Sequence, residues 1–271
     1  MSPAILLLLV ACGTPAPADR KESAEAMATG NMVPAYLQTR QFDLYSLSRT
    51  NDPQDLLVVY IEGDGLAWLR IDEASPDPTP VTPTALRLAL ADGAPAVAYL
   101  ARPCQFTDEA HRRNCRTAFW TSHRYGEDVV AATNEALDML KRRTGAQRLG
   151  LVGFSGGGAI AALVAARRGD VAWLKTVAAP LDTDAFARHH GVAPLTQSLN
   201  PADIAATLAS LPQLHLAGAD DRIVPAATGN AYMTRLRDSR CASLRILPGT
   251  GHHDGWETRW PDLAQETPIC R

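Results

Sequence analysis

The residues best suited to covalent chemistry lie in the segment 148–168, which reads RLGLVGFSGGGAIAALVAARR. Its apolar run ends at Ser155, and the residues that follow are small and have a helical period. Glycine stands two positions before and two positions after this serine, as Gly153 and Gly157. The pattern G-x-S-x-G is typical of a nucleophile elbow, a sharp strand-to-helix turn that exposes the serine Oγ. The alternative is an ordinary glycine-rich turn.

A serine is a weak nucleophile at its own pKa, so a base and an acid are needed to activate it. The sequence LPQLHLAGADDRIVP supplies Asp220 and Asp221 directly after a predicted strand. Further on, SLRILPGTGHHDGW supplies His252 and His253 after another predicted strand. Both pairs therefore lie where the functional groups of open α/β sheets collect, at the carboxyl ends of strands. The alternatives are a solvated turn for the two aspartates and a surface loop or a chance metal pair for the two histidines.

These segments resemble the α/β-hydrolase superfamily, in which the chain order is Ser, then Asp or Glu, then His. The acid of that superfamily often occurs as G-x-x-D-x-x-V-P, and residues 218–225 match this pattern with Asp221 as the acid. Its histidine often follows a glycine, as His252 follows Gly251 here. The resemblance covers the chain from about residue 36 to its end.

The resemblance implies a catalytic triad of Ser155, Asp221 and His252. Asp220 and His253 are the second choices for the acid and the base. The implied reaction is acyl transfer to water through an acyl-enzyme, and it needs no metal ion and no organic cofactor.

An oxyanion hole would complete such a site, and the N–H of Gly156 is its first predicted donor. In lipases and esterases the second donor lies in a loop that often carries His-Gly. By position this loop is EGDG at 62–65, so the N–H of Asp64 is the second predicted donor. A carboxylate there would disfavour a developing negative charge. We therefore expect the Asp64 side chain to point away or to be hydrogen-bonded; the alternative is a plain Gly-Asp-Gly turn.

The amino terminus, MSPAILLLLVACGTPAP, contains a short apolar run that ends at Cys12. The residues LVAC at 9–12 resemble a lipobox, the bacterial signal for cleavage before a cysteine that then carries lipid. The run is shorter than the ~20 apolar residues of a membrane-spanning helix. No Lys or Arg precedes it, so either the true start lies upstream or the amino terminus alone supplies the positive charge. A disordered apolar terminus is the alternative.

This pattern predicts a signal peptide at 1–11, a lipid anchor on Cys12 with a flexible tether over 12–35, and a hydrolase domain at 36–271. The tether is predicted because the segment is rich in Ala, Pro, Ser, Glu and Lys and lacks a hydrophobic period. Gly13 is not the acidic residue that indicates inner-membrane retention. We therefore expect the domain to be lipid-anchored in a bacterial envelope, on the outer membrane, facing the periplasm or the cell surface.

Five cysteines occur, and lipidation of Cys12 would leave four, which allow three pairings. Their positions favour Cys104–Cys115, within one loop after a strand, and Cys241–Cys270, between the last strand and the C-terminus. The alternative is four free thiols in a reducing compartment.

Composition indicates one globular domain, since the 271 residues are 46% hydrophobic and 20% charged. The formal net charge of −3 and the absence of a basic stripe argue against a nucleic-acid partner. Neither G-x-G-x-x-G nor G-x-x-x-x-G-K-[ST] occurs, which disfavours a nucleotide site. The adjacent His252 and His253 are too local for a convincing zinc site, so no metal is expected.

Strands and helices alternate along the chain. Strands are predicted at 41–47, 56–61, 96–101, 149–154, 173–177, 213–217 and 243–247, and helices at 83–91, 127–144, 157–168, 226–238 and 256–264. Alternation with near-continuous apolar strands predicts an α/β protein with a mainly parallel sheet and helices on both faces. The superfamily resemblance makes this an α/β-hydrolase fold.

Two longer segments bear on the substrate. The segment 102–125 follows a strand and either lines the pocket or packs on itself as a surface loop. Its candidate lining side chains are Phe119, Trp120, His123 and Tyr125. The segment 181–212 lies where hydrolases insert a cap but is too short for a large lid, so a small cap or none is expected.

Together these patterns predict a serine hydrolase that cleaves a small-molecule or lipid-like ester and contacts a membrane through its N-terminal lipid. A serine peptidase or an acyltransferase on the same triad is the alternative within enzymes. A catalytically silent hydrolase-fold binding lipoprotein is the alternative outside them. The sequence does not specify an oligomeric state.

Overall fold

The computed structural model describes residues 14–50, 54–237 and 239–271. The predicted signal peptide and Cys12 lie outside the described residues. Within the described ranges, no helix combines the length and the hydropathy needed to cross a bilayer.

The strands in chain order are β1 (Val33–Gln38), β2 (Asp43–Thr50), β3 (Leu56–Ile61), β4 (Trp68–Arg70), β5 (Glu73–Ala74), β6 (Ala96–Leu100), β7 (Arg148–Phe154), β8 (Val171–Val177), β9 (Gln213–Gly218) and β10 (Ala242–Leu247). The α-helices are α1 (Pro17–Ala28), α2 (Thr84–Ala91), α3 (Glu127–Thr144), α4 (Gly156–Ala165), α5 (Thr183–His190), α6 (Ala226–Arg235) and α7 (Trp260–Gln265). Short 3-10 helices lie at Glu109–His111, Thr117–Trp120 and Pro201–Leu208.

Eight strands form one sheet in the order β1-β2-β6-β3-β7-β8-β9-β10. The pairs β1–β2 and β2–β6 are antiparallel, and every pairing from β6 to β10 is parallel. Strands β4 and β5 form a separate antiparallel hairpin. The predicted α/β-hydrolase fold with a mainly parallel sheet is confirmed.

The sheet has an apolar layer on each face, as a strand buried on both sides requires. Alternate residues of β3 divide between the layers: Leu57 and Val59 pack with α3 and α4, whereas Val58 and Tyr60 pack with α2 and α7. This alternation follows from the two-residue period of a strand. The helices therefore cover both faces, as predicted.

The amino-terminal segment differs from the predicted flexible tether. Residues 17–28 form α1, and β1 begins at Val33, so folded structure starts well before residue 36. Arg20, Ala24 and Ala28 are buried at four-residue intervals along α1. The Arg20 guanidinium donates to the carbonyl of Thr79. The sequence conceals this helix because its buried face consists of two alanines and an arginine, which produce almost no hydrophobic period.

Both predicted disulfides are present in the structure, Cys104–Cys115 and Cys241–Cys270. The first closes part of the loop that follows β6, and the second joins the start of edge strand β10 to the C-terminus. The predicted helix at 256–264 is shorter, because α7 begins at Trp260 and the residues before it form turns.

Candidate active site

Ser155 lies at the junction of β7 and α4 with φ = 49° and ψ = −126°. A positive φ is unusual for a residue with a side chain and marks local strain that the surrounding fold must hold. The backbone is tight on both sides of the serine. A Cβ on Gly153 would lie 2.4 Å from the carbonyl oxygen of Gly157. A Cβ on Gly157 would lie 2.2 Å from the carbonyl oxygen of Ile61. Glycine at these two positions is therefore required by the close approach of the backbone.

The structure brings the three predicted triad residues together. Oγ of Ser155 lies 3.1 Å from Nε2 of His252, and Nδ1 of His252 lies 2.8 Å from Oδ2 of Asp221. The side chain of Asp221 is fully buried, and that of His252 is 8% exposed. Both contacts are within the range in which a base and its orienting acid operate.

Asp221 is held by its own loop, because its Oδ1 accepts the N–H groups of Ile223 and Val224, each at 2.8 Å. The second-choice acid, Asp220, is exposed. The second-choice base, His253, instead shares a hydrogen bond of 2.8 Å with Oγ1 of Thr84. The geometry thus favours the first choice for both the acid and the base.

The loop that carries His252 is fastened by Trp256, which is fully buried. The indole Nε1 of Trp256 donates to the carbonyls of Gly251 and His252, both at 3.0 Å. These bonds fix the backbone on which the imidazole stands.

The two predicted oxyanion donors come from different elements, Gly156 directly after the serine and Asp64 in the loop after β3. Gly156 is the first residue of α4, so its N–H has no partner within the helix. In the loop after β3, the N–H of Gly63 donates to the carboxylate of Glu62 at 2.9 Å. In the described part of the chain, the N–H of Asp64 donates to no protein acceptor. Gly63 lies against the serine, since a Cβ there would be 3.2 Å from that of Ser155.

The Asp64 carboxylate is hydrogen-bonded, as expected, and its partners come from the segment 102–125. Oδ1 accepts from Arg102 at 3.2 Å, while Oδ2 accepts from the hydroxyl of Tyr125 at 3.0 Å and from Arg124 at 3.4 Å. A Cβ on Gly156 would lie 2.0 Å from Asp64 Oδ1, so this carboxylate packs directly on the start of α4. The Asp64 carboxylate is thus paired with two guanidinium groups where it packs against Gly156.

Glu62 is the fully buried acid beneath this loop. Burial raises the pKa of its carboxyl from 4.5 to about 7, against the lowering effect of its hydrogen bonds with the N–H groups of Gly63 and Ala85 and the hydroxyl of Tyr99. Its carboxylate thus acts as a buried acceptor that holds the loop 62–65 against α2 and β6.

An open cavity of about 380 Å³ lies above Ser155 and His252. Its apolar lining includes Trp68, Val81, Phe186, Leu195 and Ile223. Its polar lining includes Arg124 and Tyr125. Of the four side chains predicted from the segment 102–125, only Tyr125 lines this cavity, because Phe119 and Trp120 are buried in the core and His123 lies elsewhere. The segment 181–212 contributes α5 and Leu195 to one wall and forms no large lid.

The family model for dienelactone hydrolases matches residues 94–253. The chain belongs to the dienelactone hydrolase family. The matched span includes the elbow, both candidate acids and both candidate histidines. A search of curated protein sequences finds no match.

Solved structures of α/β hydrolases are similar to this family member in fold. An esterase of Pyrococcus furiosus superposes with a TM-score of 0.62 at 12% identity, covering 89% of this chain and 91% of that one. An α/β serine hydrolase homologue from Coxiella burnetii gives 0.55 at 18% identity, covering 86% and 94%. A Xanthomonas campestris α/β serine hydrolase described as lacking a lid gives 0.55 at 15% identity, covering 87% and 91%.

Sequence reasoning missed Arg102 and Arg124 as neighbours of the candidate site. A signal for Arg102 was present, because it directly follows the end of a predicted parallel strand, where functional groups collect. Arg124 carried no such signal, since its position depends on how the long segment 102–125 folds back to Asp64.

Proposed function

We propose that this protein is a serine hydrolase that cleaves a carboxylic ester through Ser155, His252 and Asp221. The observation that carries the proposal is the continuous contact from Asp221 through His252 to Ser155 at a strained elbow. Membership of the dienelactone hydrolase family supports hydrolysis as the reaction class.

In the proposed mechanism, Nε2 of the neutral His252 takes the proton from Ser155 as Oγ attacks the ester carbonyl. The resulting imidazolium is stabilised by Asp221, which also keeps the Nδ1 proton in place. His252 then gives its proton to the leaving alkoxide as the carbonyl re-forms, which leaves an acyl group on Oγ. A water molecule, deprotonated by the same imidazole, attacks this acyl-enzyme and releases the carboxylic acid.

The tetrahedral intermediate carries a negative charge on the former carbonyl oxygen, and preorganised donors there lower the barrier. We assign these donors to the N–H groups of Gly156 and Asp64. The start of α4 adds a favourable partial positive charge. Arg102 and Arg124 pair with the Asp64 carboxylate, and this pairing offsets its opposition to the developing oxyanion.

The test is hydrolysis of p-nitrophenyl butyrate by the wild type and by Ser155→Ala and His252→Ala. We expect each substitution to lower kcat by about 10³-fold or more, because the nucleophile and the base act as one unit. Circular dichroism and thermal unfolding establish that the variants are folded. Activity that survives in folded Ser155→Ala would overturn the proposal.

We further propose that the protein is lipid-anchored on Cys12 in a bacterial envelope, on the outer membrane. The lipobox-like residues 9–12 support this, and the two disulfides are consistent with an oxidising compartment. Metabolic labelling with palmitate should mark the wild type but not Cys12→Ser. Equal labelling of the two proteins would contradict the anchor.

A further inference from the structure

The hairpin of β4 and β5 exposes apolar side chains beside the mouth of the cavity. Ile71 at its tip is 93% exposed, and Trp68 and Leu69 on β4 are 43% and 45% exposed. Trp68 also lines the cavity, so the hairpin stands beside the candidate active site. A group of exposed apolar side chains is uncommon on soluble proteins and marks contact sites.

Exposed apolar residues concentrate at this mouth. The described part of the chain has nine large exposed hydrophobic residues. Five of them either line the cavity or lie on the hairpin: Trp68, Leu69, Ile71, Val81 and Ile223. Scattered single residues need no explanation, but this grouping around one opening does.

The base of the hairpin is fixed although its tip is exposed. Ser75 donates its N–H to the carbonyl of Ala67 at 3.0 Å, and Leu66 donates to Pro78 at 3.1 Å. The indole of Trp120 donates to the Ser75 carbonyl at 2.9 Å. The segment 102–125 thus holds the base of the hairpin through Trp120, which fixes the backbone that carries the exposed apolar side chains.

The charges of the hairpin indicate which kind of lipid surface it fits. It carries one basic and two acidic residues, Arg70, Asp72 and Glu73, of which Arg70 and Glu73 pair at 3.6 Å. An anionic bilayer attracts basic clusters, and this hairpin is not one. A tryptophan with one apolar and one polar edge suits an interface between lipid and water. The complementary surface is therefore an uncharged or zwitterionic lipid phase.

We infer that the substrate is a lipid-like ester taken from an uncharged or zwitterionic lipid surface, which Trp68, Leu69 and Ile71 contact. The inference rests on the proposed function, because it names the substrate class of the same site. Contact of the hairpin with the lipid phase places the cavity mouth, and with it Ser155, at the surface where the ester lies.

The experiment compares hydrolysis of emulsified tributyrin with hydrolysis of dissolved p-nitrophenyl butyrate, which has the same acyl group. All proteins are the full chain with Cys12→Ser, so no lipid attached there contributes. The test variant is Leu69→Ser with Ile71→Ser, and the control is Val33→Ser, an exposed apolar residue on edge strand β1. Flotation with phosphatidylcholine vesicles, at low and high salt, is measured on the same proteins and on Ser155→Ala.

We expect the ratio of emulsion rate to soluble rate to fall about tenfold in the hairpin variant and to stay unchanged in Val33→Ser, since two apolar side chains lose their contact. Flotation should weaken in parallel, persist in Ser155→Ala and be insensitive to salt. Equal ratios and equal flotation in the hairpin variant and Val33→Ser, with soluble ester still hydrolysed, would overturn the inference and leave the proposed function intact.

Two further outcomes would also overturn the inference. A dimer in sedimentation velocity that the hairpin variant dissociates would assign the apolar surface to a second copy of the chain. If the folded wild type hydrolyses neither ester, the proposed function and the ester substrate are both wrong. Flotation then still tests whether the hairpin contacts lipid.

Discussion

At the scale of single residues, Asp221 serves two partners with its two carboxylate oxygens. Oδ1 accepts two backbone N–H groups of its own loop, and Oδ2 faces Nδ1 of His252. An asparagine at this position would keep its amide oxygen on the two N–H groups, because its NH₂ cannot accept them. That NH₂ would then donate to Nδ1 of His252, hold the imidazole proton on Nε2 and prevent transfer from Ser155.

We therefore expect Asp221→Asn to lower kcat for p-nitrophenyl butyrate by about 10⁴-fold with little change in KM. Steady-state kinetics measure both constants. The matched control is Asp220→Asn, because Asp220 is exposed and its carboxylate makes no hydrogen bond within the described chain. An equal loss in the two variants would show that the acid has been assigned to the wrong residue.

At the scale of elements, the junction between β7 and α4 requires glycine at residue 153, because the backbone of Gly157 and Gly158 packs directly against it. We expect Gly153→Ala to lower the free energy of unfolding by about 2–3 kcal/mol, since its Cβ would lie 2.4 Å from the Gly157 carbonyl oxygen and the Gly158 Cα. Urea unfolding measures the difference. Gly93→Ala is the control: its Cβ would meet nothing within 4 Å, and its effect should stay within about 1 kcal/mol.

Some of the strands and helices could be predicted from local sequence patterns, and others could not. Strands β3 and β7 were predictable because mainly apolar runs end in turns that contain glycine. Helix α1 was not, because a face of alanine and arginine has no hydrophobic contrast. The hairpin of β4 and β5 was hidden for a related reason: its apolar residues face solvent, so burial imposes no alternation on them.

At the scale of the whole molecule, the order of Ser155, Asp221 and His252 along the chain was enough to predict their meeting at one edge of a parallel sheet. Arg102 directly follows a predicted strand, but the place of Arg124 was not predictable, because it reaches Asp64 through the path of a long loop. The path of a loop depends on tertiary contacts, such as the hydrogen bond from the Trp120 indole to the Ser75 carbonyl. Hydrophobic periodicity in the sequence does not reveal such contacts.

Stability should depend on pH through Glu62. Its pKa is raised from 4.5 to about 7 by burial, so the stability present below about pH 4.5 is lost as the pH rises towards 7. Glu62→Gln keeps an acceptor for the Gly63 and Ala85 N–H groups, and its NH₂ donates to the Tyr99 hydroxyl where the carboxylate accepted from it, without an ionisable group. We expect it to match the wild type near pH 4 and to be more stable by about 3 kcal/mol at pH 8 in urea unfolding. The same difference at both pH values would contradict this account.

The central claim is that Ser155 is an activated nucleophile, and covalent labelling by a fluorophosphonate probe tests it most directly. The probe reacts with a serine only when a base and an oxyanion hole activate it. We expect the wild type to be labelled, peptide mapping to place the adduct on Ser155, and folded Ser155→Ala to remain unlabelled. Equally weak labelling of the wild type and Ser155→Ala would contradict the claim.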